Sequence, residues 1–451
     1  MHKHSGIHFY INILNFNEVI TDEETKTKGV THAIHALDTF FASVESYGKK
    51  VSKDLVVEKI TGSRLHMYVV GELKPVFNVV KAVSVYAYQL VRYINSDIPK
   101  YKSLLDFNIN VGVAYGDFYD FEFITKDGLS ELTTIGYAAN FAAKLQAISG
   151  LNKISISEDI YNELPSVEQN DYVKIDEDSF GKYGQDKYYT IPLIKVNSPV
   201  TIEAADLQVA KDYANSDNLK DIDFADVRVQ LNFKALSKTQ CKKLQGIPVF
   251  ADVRGFTTEF NEDDSNLEEM ARRTQEILET MYQISIGYGG VHVQFQGDRE
   301  LSLYHIVPES RVNGVLQPEC KCFKSAVLAS MRMIDKLKLN KVHIGIGGDF
   351  GTLFATKIGA RGEKDNILLG QTVIQADIME DKYADVDQIA ITSEVYEGLI
   401  DEDRNLASIF KPVGSYYITT IGYDEYLRKA SYRQHSVNTT NNAYNGAWRS
   451  Y

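Results

Sequence analysis

Five landmarks of this 451-residue chain recur in the same order at an offset of roughly 235 residues, so the sequence is one design written twice in tandem. An apolar strand opens each copy: Tyr10-Ile11-Asn12-Ile13 running on to Phe16, and Phe250-Ala251-Asp252-Val253 running on to Phe256. After a helix, a strand turns at Gly62-Ser63 in the first copy and at Gly297-Asp298 in the second. Its continuation alternates as a half-buried strand does (Leu65, Met67, Val69; Leu301, Leu303, His305), which makes a hairpin. Asn110-Val111-Gly112-Val113 matches His343-Ile344-Gly345-Ile346, and Ile135-Gly136 matches Leu369-Gly370 ahead of a helical stretch. Ile154-Ser155-Ile156-Ser157 and Ile389-Ala390-Ile391-Thr392 close the series, each followed by an acidic residue and a Tyr. The predicted order is β-α-α-β-β-α-β-α-β in both copies.

That alternation implies one mixed sheet per copy with helices on a face, an α+β sandwich of the ferredoxin-like kind. The domains are expected at about 5–195 and 246–425, with helix and polar linker over 196–245 and a mobile tail over 426–451, where apolar residues are scarce. No stretch approaches the roughly 18 apolar residues of a membrane span, and the opening MHKHSGIHFY lacks the features of a signal peptide, so a cytoplasmic chain is expected. Cys241, Cys320 and Cys322 are too few for a disulfide framework and lack partners at zinc spacing. A formal charge of −13 opposes attraction to nucleic acid or anionic membrane, while leaving room for a local cationic pocket that takes a small anion.

The chemistry concentrates in the second copy. Asp252 ends a buried strand and Asp298 follows Gly297 at a hairpin tip, so neighbouring strands bring both carboxylates to one edge. Such a pair suits two hard divalent ions on a phosphate substrate, although a helix-capping Asp and a turn Asp after Gly are the commoner explanation of two such residues.

FADVRGFT followed by QFQGDRE resembles the metal signature of class III nucleotide cyclases. The resemblance implies two facing domains, one holding two Mg²⁺ or Mn²⁺ ions on Asp252, the Val253 carbonyl and Asp298, the other supplying contacts to the base and the transition state. The first copy has Asn12 and Ser63 at the metal positions, yet it keeps the partner's residues. Lys59 and Thr133 stand at the base-reading positions. Asn140 stands at the ribose-orienting asparagine, Lys144 where the family has an arginine, and Lys182 where a phosphate-binding lysine lies. In the second copy the matching residues are Gln294, Ile367, Ile374 and Ile378. Each copy keeps what the other lacks, which implies an intramolecular pseudo-heterodimer with one complete site, in a monomer or in a homodimer of such chains.

Arg299 after the metal Asp, Gln294, and Lys144 followed by Leu-Gln are most similar to the pyrimidine cyclases of the Pycsar anti-phage systems, which implies UTP or CTP as substrate. Adenylate cyclase and a non-catalytic nucleotide-binding pseudo-cyclase are the competing readings. Lys59 only donates hydrogen bonds and suits uracil O2 or O4, while Thr133 can accept from N3–H. No carboxylate stands at either base-reading position to meet guanine. Gly345 to Gly351, GIGGDFG, imitates a phosphate loop but is expected to be a tight turn between strands. His2, His4 and His8 are expected to be incidental residues of a mobile terminus.

Overall fold

The computed structural model describes residues 2–27, 29–124, 130–175, 188–216, 223–226, 230–237, 240–255, 267–307, 311–312, 315–316, 322–359 and 365–429. The first sheet comprises β1 (His2–Ile13), β2 (Leu55–Thr61), β3 (Arg64–Val70), β4 (Ile109–Ile124), β5 (Ser130–Ile135), β6 (Lys153–Ser157), β7 (Val173–Ile175) and β8 (Tyr188–Pro192). Their spatial order is β2-β3-β1-β4-β6-β8-β7, with β5 folded back on β4.

In the second half, β9 (Asp223–Asp226) runs parallel to the start of β10 (Gln240–Val253). There follow β11 (Val291–Gln296), β12 (Arg299–His305), a separate small ladder of β13 (Arg311–Val312) and β14 (Val315–Leu316), then β15 (Ile344–Gly348), β16 (Gly351–Ile358), β17 (Asp365–Leu369), β18 (Gln388–Thr392), β19 (Lys411–Val413) and β20 (Tyr416–Thr419). The order β11-β12-β10-β15-β18-β20-β19 repeats the first sheet strand for strand. Both sheets are mixed, with a parallel pair (β4–β6, β15–β18) among antiparallel ones.

Ladder register corrects three expectations. Asn12 faces Asn110 and Asp252 faces Gly345, so Gly112 corresponds to Gly347, two residues away from the match read along the sequence. The glycines explain the correspondence: a Cβ on Gly112 would lie 2.1 Å from the Gln146 amide nitrogen, and one on Gly347 would lie 2.1 Å from that of Glu380. Only a bare backbone lets the following helix lie so close to its sheet. The GIGGDFG segment is not a turn between strands. β15 and β16 are consecutive stretches of one line, both paired to β10, interrupted at Asp349 and Phe350 where β4 runs unbroken. Finally, β1 begins at His2 and pairs with β4 along its whole length, so the early histidines belong to a sheet, and His8 is fully buried. The predicted element order also lacks β5, β17 and the closing hairpins.

Each sheet buries a helical layer. The helices Thr31–Val51 and Leu73–Asp97 cover the first through residues such as Phe40, Phe41 and Tyr86, and Leu267–Gly287 with Cys322–Leu339 cover the second. The helix Ala204–Ala214, between the halves in sequence, packs on the first, where Tyr86 donates to the Asp206 carbonyl at 3.0 Å. The cores also interpenetrate: Phe121, Phe123 and Ile135 sit in the second half's apolar cluster, and Phe354, Ile367 and Leu369 sit in the first's. Each half inserts its β4–β5 or β16–β17 arm into the other, and burial of those arms removes apolar area from water that neither half covers by itself.

Candidate active site

Asp252 lies at the penultimate position of β10, opposite Arg299 on β12. The turn joining β11 to β12 carries Gly297 at φ +70°, a conformation glycine adopts freely, and so sets Asp298 beside the end of β10. Burial pushes Asp298 well above the ordinary carboxylate range, and the Asp252 charge adds to it. Asp252 is likewise raised by burial, against the opposing pull of Arg299 and Arg254. Arg254 donates to Asp252 at 3.2 Å and pairs with Glu380 at 2.6 Å; Arg299 pairs with Asp377 at 2.6 Å and Glu380 at 2.7 Å, its guanidinium 4.0 Å over the Phe250 ring. Gly345 leaves the space for this frame, since a Cβ there would lie 1.9 Å from an Arg254 nitrogen.

Two hard carboxylates that repel one another fit a divalent Mg²⁺ or Mn²⁺, and no softer donor stands in the pair. In the first half the equivalent residues form a neutral bond: the Ser63 hydroxyl donates to Asn12 Oδ1 at 2.8 Å. Glu380, Arg254 and Asp377 were missed in the sequence because they come from separate elements; the glycine at 345 was the available signal.

The halves meet along a pseudo-twofold seam. Lys59 donates to the Phe295 carbonyl at 2.6 Å, and its counterpart Gln294 donates to the Ile60 carbonyl at 3.3 Å. Glu131 accepts the Phe295 N–H at 2.9 Å, and its counterpart Asp365 accepts the Ile60 N–H at 2.6 Å. Among the described residues the two sides differ in their ion pairs. Lys59 is 3.1 Å from Glu131, whose other oxygen is 3.0 Å from His292 Nε2, while His292 Nδ1 is 3.4 Å from Glu300. Burial would raise Glu131, but Lys59 and His292 outweigh it and hold it at about 2. Burial would lower His292, but Glu131 and Glu300 push it up to about 9. Asp365 rises to about 7 because burial dominates there. Glu131 is thus a carboxylate beside the expected base reader that sequence reasoning did not find. It stands two residues before Thr133, on the same strand face.

Thr133 is fully buried opposite Phe121, and among the described residues its hydroxyl has no hydrogen-bond partner. Its neighbour Thr134 is anchored through its N–H to Glu58 at 3.1 Å, beside Lys59. Asn140 and Lys144 lie one turn apart on the helix Tyr137–Ile148, both partly exposed. Val253 is the last residue of β10 and is buried. Lys182 lies outside the described residues. The structure therefore brings Asp252 to Asp298, and Lys59 to β11, the strand that leads into the turn carrying Asp298; for Asn140 and Lys144 it gives the helix and the face. A cavity of about 550 Å³ between the halves is bordered by Asn12, Ser63 and Arg64 on one side and Asp252, Gln294 and Ile374 on the other. It joins Asn12 and Ser63, the first half's equivalents of Asp252 and Asp298, to Gln294 and Ile374, the second half's equivalents of Lys59 and Asn140. A second, of about 780 Å³, opens on Glu131, His292, Lys357 and Asp365.

The sequence matches no family model and no curated protein. Among solved structures, the chain is similar to a class III adenylyl cyclase-like ATP-binding protein from Pseudomonas aeruginosa, 16% identical over 94% of this chain and 90% of that one, with a TM-score of 0.65. The adenylyl cyclase CyaB from P. aeruginosa is 19% identical over 40% of this chain and 93% of its own, with a TM-score of 0.33. The guanylyl cyclase Cya2 is 20% identical over 39% and 90%, with a TM-score of 0.31. The whole-chain likeness establishes the fold: two mixed α+β units in the class III cyclase-like arrangement.

Proposed function

We propose that the chain is a nucleotide cyclase, converting a nucleoside triphosphate to the 3′,5′-cyclic monophosphate and pyrophosphate at one composite site. UTP is the preferred substrate, ahead of CTP, and the product serves as a messenger in anti-phage defence. The observation that carries the reading is the asymmetry at equal positions. Asp252 and Asp298 crowd together where the first half has the neutral Asn12–Ser63 pair, whereas Lys59, Thr133 and Asn140 stand where the second half has Gln294, Ile367 and Ile374.

When bound to Asp252, the Val253 carbonyl and Asp298, a pair of Mg²⁺ or Mn²⁺ ions supplies Lewis-acid activation of the 3′-hydroxyl and neutralises triphosphate charge. The chain's own groups do the rest. Arg254 and Arg299 clamp Glu380 and Asp377, holding the two aspartates against a fixed frame instead of a mobile loop. Asn140 orients the ribose for in-line attack, Lys144 offsets charge growing on the α-phosphate, and Lys182 holds the terminal phosphate. Two of the three Lys59 N–H donors are used on Glu131 and Phe295, leaving one for uracil O2 or O4. The buried, unpartnered Thr133 hydroxyl accepts from N3–H, relieving an unsatisfied group worth about 1–3 kcal/mol. Glu131 does not open the site to guanine, because His292, Lys59 and Phe295 occupy its oxygens.

Incubation with equal UTP, CTP, ATP and GTP and Mn²⁺, with products separated by mass, tests the assignment. Predominant cyclic UMP is expected, and predominant cyclic AMP would make the chain an adenylate cyclase. The second reading, nucleotide binding without turnover, is favoured by the Arg254 contact to Asp252 and by the ATP-binding description of the P. aeruginosa structure. Tight triphosphate binding with no cyclic product would establish it.

A further inference from the structure

A buried polar cluster on the first sheet has no counterpart on the second. His8 on β1, Glu58 at the bulge of β2 and His66 on β3 are all buried, and their ligand atoms lie within 4.8 Å of one another. His8 Nδ1 is 2.9 Å from His66 Nε2, and His66 Nδ1 is 2.9 Å from a Glu58 oxygen. Ladder register places Pro248, Val293 and Leu301 at the equivalent positions, and Val293 and Leu301 belong to an apolar cluster. The fold is therefore satisfied by apolar filling here, and burying two imidazoles and a carboxylate costs desolvation that the architecture does not require. The cluster is also incompletely paired, for His8 Nε2 is buried with no hydrogen-bond partner among the described residues.

We propose that His8, Glu58 and His66 bind one divalent ion of the zinc class, independently of Asp252 and Asp298. Two imidazole nitrogens and one carboxylate oxygen are a donor set that Zn²⁺ and its neighbours accept, whereas Mg²⁺ and Ca²⁺ prefer oxygen alone. Ligand atoms about 2.0–2.1 Å from one tetrahedral ion lie about 3.4 Å apart, so the widest pair of the set, up to 4.8 Å here, closes by up to about 1.4 Å when the ion binds. The surroundings hold the ligands in place: His66 stacks on Tyr10 at 4.0 Å, and His8 meets the edge of Phe118 at 4.2 Å. Glu58 also accepts the Thr134 N–H at 3.1 Å and its hydroxyl, so the ion braces β2 against β5 beneath Lys59 and Thr133.

The test uses the full chain without a histidine tag, stripped with chelator and titrated with Zn²⁺ and then with Co²⁺, the latter read by its visible absorption. One equivalent of ion per chain is expected, with a rise in melting temperature on Zn²⁺ addition. His8→Asn and Glu58→Gln should each weaken Zn²⁺ binding at least about tenfold, while the Asp252→Asn/Asp298→Asn double variant should leave it unchanged. No uptake by the wild-type chain at about 100 μM ion overturns the proposal, and this measurement decides even if a cluster variant fails to fold. Uptake that survives in both cluster variants, or is lost only in the aspartate variant, overturns it equally. None of these outcomes depends on cyclase activity.

Discussion

The two halves share their frame and differ in nearly all their chemistry. Both carry a bulge at the same place, between Val57 and Lys59 and between His292 and Gln294, both need a glycine under the same helix, and both cross the seam with the same donor and acceptor pair. Upon that frame, Asn12–Ser63 becomes Asp252–Asp298, Lys59 becomes Gln294, and the His8–Glu58–His66 cluster becomes Pro248, Val293 and Leu301. Where one position tolerates charge in one copy and an apolar side chain in the other, the fold does not dictate that residue. What the copies hold in common keeps the architecture, and what they hold apart carries the specific chemistry.

The sharpest break of this comparison is Asp252→Ala or Asp298→Ala. Either should lower cyclic nucleotide formation by more than about a thousandfold with the melting temperature within a few degrees of wild type, because a carboxylate in a crowded acidic cluster serves catalysis more than stability. Wild-type turnover in either variant would end the metal assignment.

Next in size is the seam. Glu131→Gln leaves Lys59 and His292 buried without their shared carboxylate and should destabilise by about 3–5 kcal/mol, whereas the mirror change Asp365→Asn should cost about 1–2 kcal/mol, since no comparable ion pair depends on it. Equal losses in denaturant unfolding would show that the seam is not energetically asymmetric.

The same asymmetry sets a pH dependence. His292, raised to about 9, contributes stability that is fully present below its unfolded value of about 6.5 and is lost as pH rises through 9. Glu131, lowered to about 2, contributes stability that is present above about 4.5 and lost as pH falls through 2. The summed contribution of these two groups is therefore largest between about pH 4.5 and 6.5, while Asp365, raised to about 7, adds a separate loss of stability as pH rises from about 3.8 through 7. A decline of up to about 3 kcal/mol toward pH 9 is expected, and His292→Gln should flatten it in melting curves taken across that range. A decline that persists in His292→Gln would place the titrating group elsewhere.

The smallest effect is expected at the neutral mirror of the Asp252–Asp298 pair. Ser63→Ala removes one hydrogen bond to Asn12 and should cost about 0.5–1.5 kcal/mol, with cyclase activity unchanged. A large fall in activity would mean that the first half takes part in the chemistry at that edge.

Much of this was open to reading along the chain. The repeat, the mixed sheets and the placing of Asp252 and Asp298 at adjacent strand ends follow from alternation and turn residues, which are local properties. The match of Asn110 to His343 slipped by two because alternating apolar strands look alike when moved by an even step; only the ladder and the Gly112 and Gly347 contacts distinguish the registers. Glu131 and His292 are separated by about 160 positions, and Arg254 and Glu380 by about 125, so nothing in their local sequence says that they meet. The sequence by itself determined which half carries the carboxylate pair, Asp252 with Asp298, and which carries the neutral Asn12 and Ser63 at the same positions, since that depends only on residue identity at a named position. The tertiary structure alone decided that Lys59 is bound into the seam by Glu131, and that His8, Glu58 and His66 share one buried site, because long-range packing chooses the partners of a buried charge.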